Sequence, residues 1–100
     1  MPQLTTEVPH ALGQAEAVRR LKEQFTLAQA AYQAHISDLK QEWTDSTLEF
    51  SFRAIGMGIS GSLAVEDAAV TLQAELPLAA ALFKGMIQQQ IREELERVLA

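Results

Sequence analysis

The sequence predicts an α+β fold, a five-stranded antiparallel sheet with two helices on one face, in the order β-α-β-β-β-β-α. Three observations lead there. The spacing of apolar residues switches from period 2 to about 3.6 after Pro9, returns to 2 after Ser37-Asp38, and becomes helical again after Pro77. Short polar or glycine-bearing reversals separate the middle strands, and short reversals join antiparallel neighbours. Each of those strands alternates apolar with polar residues, so one sheet face needs cover and the other faces water.

The first strand is Gln3 to Val8, where Leu4, Thr6 and Val8 alternate with Gln3, Thr5 and Glu7, and Pro9 stops it. A helix follows in the segment Leu12 to Ile36, with Val18, Leu21, Phe25, Ala28 and Tyr32 forming one stripe. Gly13 serves as its N-cap, Glu16 is placed to reach back to the free amides of the first turn, and Glu16 also precedes Arg20 by one helical repeat. Leu39, Gln41 and Trp43 mark the second strand, and Asp45-Ser46 supplies the turn.

Leu48, Phe50, Phe52 and Ala54 then form an inward face, with Glu49, Ser51 and Arg53 facing water. A reversal near Ile55-Gly56 leads into Met57, Ile59, Gly61, Leu63 and Val65, and another at Glu66-Asp67-Ala68 leads into Val70, Leu72, Ala74 and Leu76. Pro77 ends the meander beside the start of the last helix, whose apolar residues run from Leu82, Phe83 and Met86 through Ile87, Ile91 and Leu95 to Val98 and Leu99. The first strand is expected beside the last, and the whole resembles a reduced helix-grip arrangement. Burial is expected for Leu48, Phe50, Phe52, Leu63, Leu72, Phe83, Ile87 and Ile91.

The chain has 100 residues, enough for one core, and a single domain over 1–100 is expected. With 48% hydrophobic and 21% charged residues, it has the composition of a globular protein. It has no cysteine, which excludes disulfides and thiolate chemistry, and its two histidines, His10 and His35, lie far apart, so neither a metal nor another cofactor is expected. The first residues carry no basic stretch followed by an apolar run, and no apolar run is long enough to span a bilayer, so the expected location is cytoplasmic. A net charge of −5 opposes attraction to nucleic acid or anionic lipid.

No catalytic constellation stands out. Lys84-Gly85 lacks the flanking residues of a phosphate loop, and Gly85 is read instead as permitting close helix packing on the sheet. Ser60 and Ser62 alternate along a strand without a nucleophile elbow. Glu93, Glu94 and Glu96, interspersed with Arg92 and Arg97, read as a solvated helix face. Gly56, Gly58 and Gly61 allow strand bending or leave room for a ligand. Phe50, Phe52, Met57, Leu63 and Phe83 are candidate linings of an apolar pocket, or simply core. Trp43, near a likely edge strand, reads first as core packing and second as a candidate contact for a partner or a symmetric homodimer. An enzyme alternative is a tautomerase using the amine of Pro2, although the hairpins and the placement of Arg19-Arg20 depart from that pattern.

Three stretches carry a resemblance. They are Thr6 to Gly13 with Glu16-Ala17 and Arg19-Arg20-Leu21, then Leu48 to Ala54 with Gly56, Gly61 and Val65, and finally Leu76-Pro77, Leu82-Phe83-Lys84-Gly85 and Ile91 to Leu95. Together they resemble the polyhydroxyalkanoic acid system proteins, a small bacterial family encoded with polyester-storage genes. Val8-Pro9-His10 combined with Phe83-Lys84-Gly85 is the most distinctive feature, while Ala11 and Gln88 to Gln90 depart from the small polar and charged residues expected there. The resemblance implies a non-enzymatic accessory protein of polyester storage, working by granule association, by regulation, or by contact with synthase or phasin-type proteins. It brings no catalytic residues. A small carrier of acyl or lipid-like ligands, with a helix-grip pocket, is the alternative. Attachment through a protein partner is expected over insertion of the last helix, because Phe83 and Ile91 are assigned to the core.

Overall fold

The structure, a computed structural model, describes residues 3–54 and 56–100, with every side chain among them except that of Tyr32. Pro2, on which the tautomerase alternative rests, and Ile55 lie outside the described residues. The elements are β1 (Gln3–Pro9), α1 (Gln14–Tyr32), β2 (Ile36–Thr44), β3 (Thr47–Ala54), β4 (Met57–Val65), β5 (Ala69–Glu75), a 3-10 segment (Leu78–Phe83) and α2 (Lys84–Leu99). The sheet has the antiparallel order β1-β5-β4-β3-β2, so the first strand lies beside the last as the meander requires.

The pairing register explains the burial. One row across the sheet runs Thr6, Leu72, Leu63, Leu48 and Trp43, and the next runs Leu4, Ala74, Gly61, Phe50 and Gln41. The adjacent row of the opposite face is Thr5, Gln73, Ser62, Glu49 and Glu42. Because side chains alternate strictly along each strand, this one register puts all the apolar rows under the helices. Leu4, Val8, Leu21, Leu48, Leu63, Val65 and Val70 form the fully buried centre. α2 packs mainly on β1, and α1 packs on β4 and α2. Coverage thins over β2 and β3, where Trp43, Phe50 and Phe52 are half-buried, as is Ser51 on the other face.

Four local expectations are corrected. Glu16 does not cap α1. The helix begins at Gly13, with φ +82°, and the Gln14 amide donates to Asp67 Oδ1 at 3.0 Å, a partner from the distant β4–β5 turn. Glu16 instead binds Arg19 and Arg20, each at 2.8 Å, so the anticipated pair with Arg20 is present. β2 starts at Ile36, three residues before the anticipated Leu39, and accommodates the difference through a bulge between Ser37 and Lys40, with Asp38 at φ +54°. The residues after Pro77 wind first as a 3-10 segment, and α2 begins only at Lys84. Finally, Gly85 packs against nothing, since a side chain there would meet open space.

α2 also covers the outer edge of β1. Gln88 Nε2 donates to the Thr5 carbonyl at 2.8 Å and Arg92 Nη1 to the Glu7 carbonyl at 3.2 Å. Four residues of helix advance about 6 Å and two of strand about 6.8 Å, so side chains at positions 88 and 92 match alternate carbonyls of one strand edge. At the other end of β1, His10 Nε2 lies 3.0 Å from the Glu66 carbonyl while His10 Nδ1 accepts from the Leu12 amide at 3.2 Å. These contacts tie β1 to the β4–β5 turn.

Candidate functional site

The most distinctive surface is apolar. Leu78, Leu82, Phe83 and Met86 are 77%, 90%, 55% and 61% exposed. They occupy the 3-10 segment and the first turn of α2, ahead of the part of the helix that packs on the sheet, whose buried residues are Leu95 and Leu99. The helical periodicity of this stretch is real, but a helix that starts before its supporting sheet leaves its first apolar side chains uncovered. From Leu76 to Arg92 there is no Asp or Glu, although the chain has 13 such residues, and the charges in the stretch are Lys84 and Arg92. An apolar strip without carboxylates approaches another apolar surface with no anion to desolvate.

Phe83 is therefore corrected from a core residue to a surface one, and Ile87 and Ile91 are half-buried against the core. The other proposed pocket residues divide. Leu63 is fully buried, and Phe50 lies between Phe25 and Phe52 with ring centroids 6.2 and 6.3 Å away. Met57 and Phe52 are half-buried at the far end of the β3–β4 hairpin. Space beneath Gly61 is filled, since a Cβ there would strike the Gln73 carbonyl oxygen and come within 3.0 Å of Ala74 Cα and Phe50 Cζ. Phe83 lies on the surface, whereas Leu63 is fully buried.

A shallow concavity of about 550 Å³ lies on the opposite, polar face, lined among others by Lys40, Glu49, Ser51, Ser60, Ser62 and Glu75. Its hydroxyls sit on adjacent strands, placed by the same register that buries the apolar rows. Trp43 stands on the edge strand as anticipated, half-buried, with Lys22 Nζ 5.3 Å from its ring centroid. Among the described residues no group of three or more His, Asp or Glu side chains converges to hold a metal ion, and no helix is long and apolar enough to cross a membrane.

Among the described residues, the perturbed groups belong to ion pairs on the two helices. The guanidinium groups of Arg19 and Arg20 hold the Glu16 carboxyl at about 2, well below its ordinary 4.5, and Glu16 in turn raises Arg19. Arg97 is likewise raised by Glu94. Arg19 and Arg97 are exposed and Glu16 and Arg20 half-buried.

Comparison with known proteins gives the same assignment as the residues. No curated protein matches the chain. Among solved structures, the crystal structure of TTHA0849 from Thermus thermophilus aligns over 98% of this chain and 92% of that one, at 14% identity and a TM-score of 0.41. The model of the polyhydroxyalkanoic acid system protein family matches residues 4–99, which includes the β1 segment with Val8-Pro9-His10, the meander and α2. The chain belongs to the polyhydroxyalkanoic acid system protein family.

Proposed function

We propose that this protein is a non-catalytic accessory component of polyhydroxyalkanoate storage that binds the granule surface through Leu78, Leu82, Phe83 and Met86. The observation that carries this reading is the exposure of those four side chains on a stretch free of carboxylates. Family membership supplies the storage context. The expectation of attachment through a protein partner rested on Phe83 and Ile91 as core residues and on a last helix without basic excess; Ile91 does pack against the core, while the exposure of Phe83 lifts the burial objection for the strip ahead of it. The strip meets a neutral polyester without withdrawing any residue from the core, so binding does not compete with folding.

Purified protein mixed with washed, protein-free granules tests this. Transfer of Leu82 from water is worth about 1.5–3 kcal/mol, and Phe83 adds roughly half as much again at its partial exposure. The double variant Leu82→Gln/Phe83→Gln is expected to lose more than about tenfold in affinity. Its circular dichroism should be unchanged, because both side chains are exposed. Retention of the unmodified protein only on native granules carrying synthase or phasin-type proteins would replace direct contact with a protein partner.

A further inference from the structure

The sheet has two edges, and they are not equivalent. β1 is partly closed by Gln88 and Arg92 of α2, whereas β2 has no neighbouring strand beyond it. The backbone directions on β2 follow from the register. The Thr5 and Glu7 carbonyls point away from β5, so Thr6 and Leu72 point toward each other. Carried across β4 and β3 by strict alternation, this places the backbone groups of Lys40, Glu42 and Thr44 toward β3 and those of Gln41 and Trp43 toward the open edge. Bonds from the Val65 amide to the Ser46 carbonyl and from the Glu66 amide to the Ala69 carbonyl obey the same parity.

We infer that β2 is the contact of a symmetric dimer in which two copies pair antiparallel about Gln41, joining their sheets edge to edge. In this register Gln41 faces Gln41 of the second copy through both free backbone groups. Lys40 then faces Glu42 of the second copy, and Glu42 faces its Lys40, as non-hydrogen-bonded pairs whose side chains stand closest. Shifting the axis by one residue sets Glu42 against Glu42 or Lys40 against Lys40, which is repulsive. Only the axis through Gln41 matches both charges at once.

The single chain leaves those charges unsatisfied. Among the described residues neither Lys40 nor Glu42 has an ion-pair partner, and Glu42 lies directly opposite Glu49 across the β2–β3 hairpin. A second copy supplies Glu42 with the cation it lacks. The bulge between Ser37 and Lys40 limits regular pairing to the stretch that begins at Lys40, so the contact is short and its register is set by charge.

Because the chain has no cysteine, single-cysteine variants report on this geometry without interference. Gln41→Cys places two thiols on the axis, with Cα atoms about 5.5 Å apart and within disulfide range. Thr44→Cys separates them by about 20 Å in the same dimer. Rapid oxidative cross-linking of Q41C but not T44C is expected. Sedimentation from about 10 μM to about 1 mM should show a dimer that Lys40→Glu weakens more than about tenfold and that Lys40→Glu/Glu42→Lys restores. Three results would each overturn the inference: a monomer throughout that range, equal cross-linking of the two cysteine variants, or a dimer indifferent to both charge changes. A dimer lost instead in the Leu82→Gln/Phe83→Gln variant would place self-association on the apolar strip and refute the β2 contact.

Discussion

Replacing Gly61 by alanine adds one methyl group on β4 opposite Ala74 of β5, and the structure sets the cost. The new Cβ would collide with the Gln73 carbonyl oxygen and sit 3.0 Å from both Ala74 Cα and Phe50 Cζ. The Phe50 ring can turn, but the two β5 atoms are backbone held by pairing to β1 on one side and β4 on the other. Relief therefore requires the strands to part locally, an overpacking cost of about 2–3 kcal/mol. Gly58 is the internal control, because its Cβ would meet nothing within 4 Å, and alanine there should be neutral or stabilising by about 0.5 kcal/mol. Urea unfolding followed by circular dichroism separates the two. With m about 1–1.5 kcal/mol/M, G61A should lower the midpoint by about 2 M with m unchanged, and G58A should leave it in place. Equal effects at both positions would refute the argument that close strand approach, rather than glycine content, shapes this part of the sheet.

Thr6 Oγ1 is a buried side-chain oxygen with no hydrogen-bond partner, in a residue 2% exposed. Thr6→Val keeps the shape and removes the desolvated hydroxyl, so stability should rise by about 1 kcal/mol and the melting temperature by about 4–8 °C, measured by thermal scan; a lower melting point would disprove the assignment. The Glu16 carboxyl is held at about 2 in the folded chain against an ordinary 4.5, so its contribution is complete above pH 5 and disappears as pH falls through 2. The stability advantage over Glu16→Gln should follow that course in urea titrations and shrink in 1 M salt, because the pair is solvent-screened; an advantage constant from pH 6 to pH 2 would contradict it.

The parts of the fold written in local periodicity were legible before any coordinates. Leu48, Leu63 and Leu72 lie in one row because each strand alternates, and alternation is visible residue by residue. What escaped the sequence depended on distant partners or on where an element ends relative to its support. The amide at the start of α1 is satisfied by Asp67, 53 positions away, and no local pattern announces that. The stripe through Phe83, Met86, Ile87 and Ile91 is continuous in sequence, but Phe83 and Met86 are exposed while Ile87 and Ile91 pack against the core, so the same pattern marks surface at one end and core at the other. Pro77 was the available signal, since a chain leaving a strand through proline needs residues to turn before it can settle on the sheet. The β2 bulge had a similar trace in Asp38, one of the few residue types that accept a positive φ.

The pairing of Gln88 and Arg92 with the Thr5 and Glu7 carbonyls bears on more than the stability of one chain. A sheet can be extended at any edge that still offers hydrogen-bonding groups, and a molecule with two such edges is a link in an endless ribbon. Here the amide and the guanidinium take up two carbonyls of the β1 edge and partly close it, which leaves the β2 edge the more open of the two. In the proposed β2 pairing, a two-fold axis uses that more open edge in both molecules at once, so addition through it stops at two. For edge-to-edge pairing, the difference between one growing end and two is the difference between a countable assembly and a fibre.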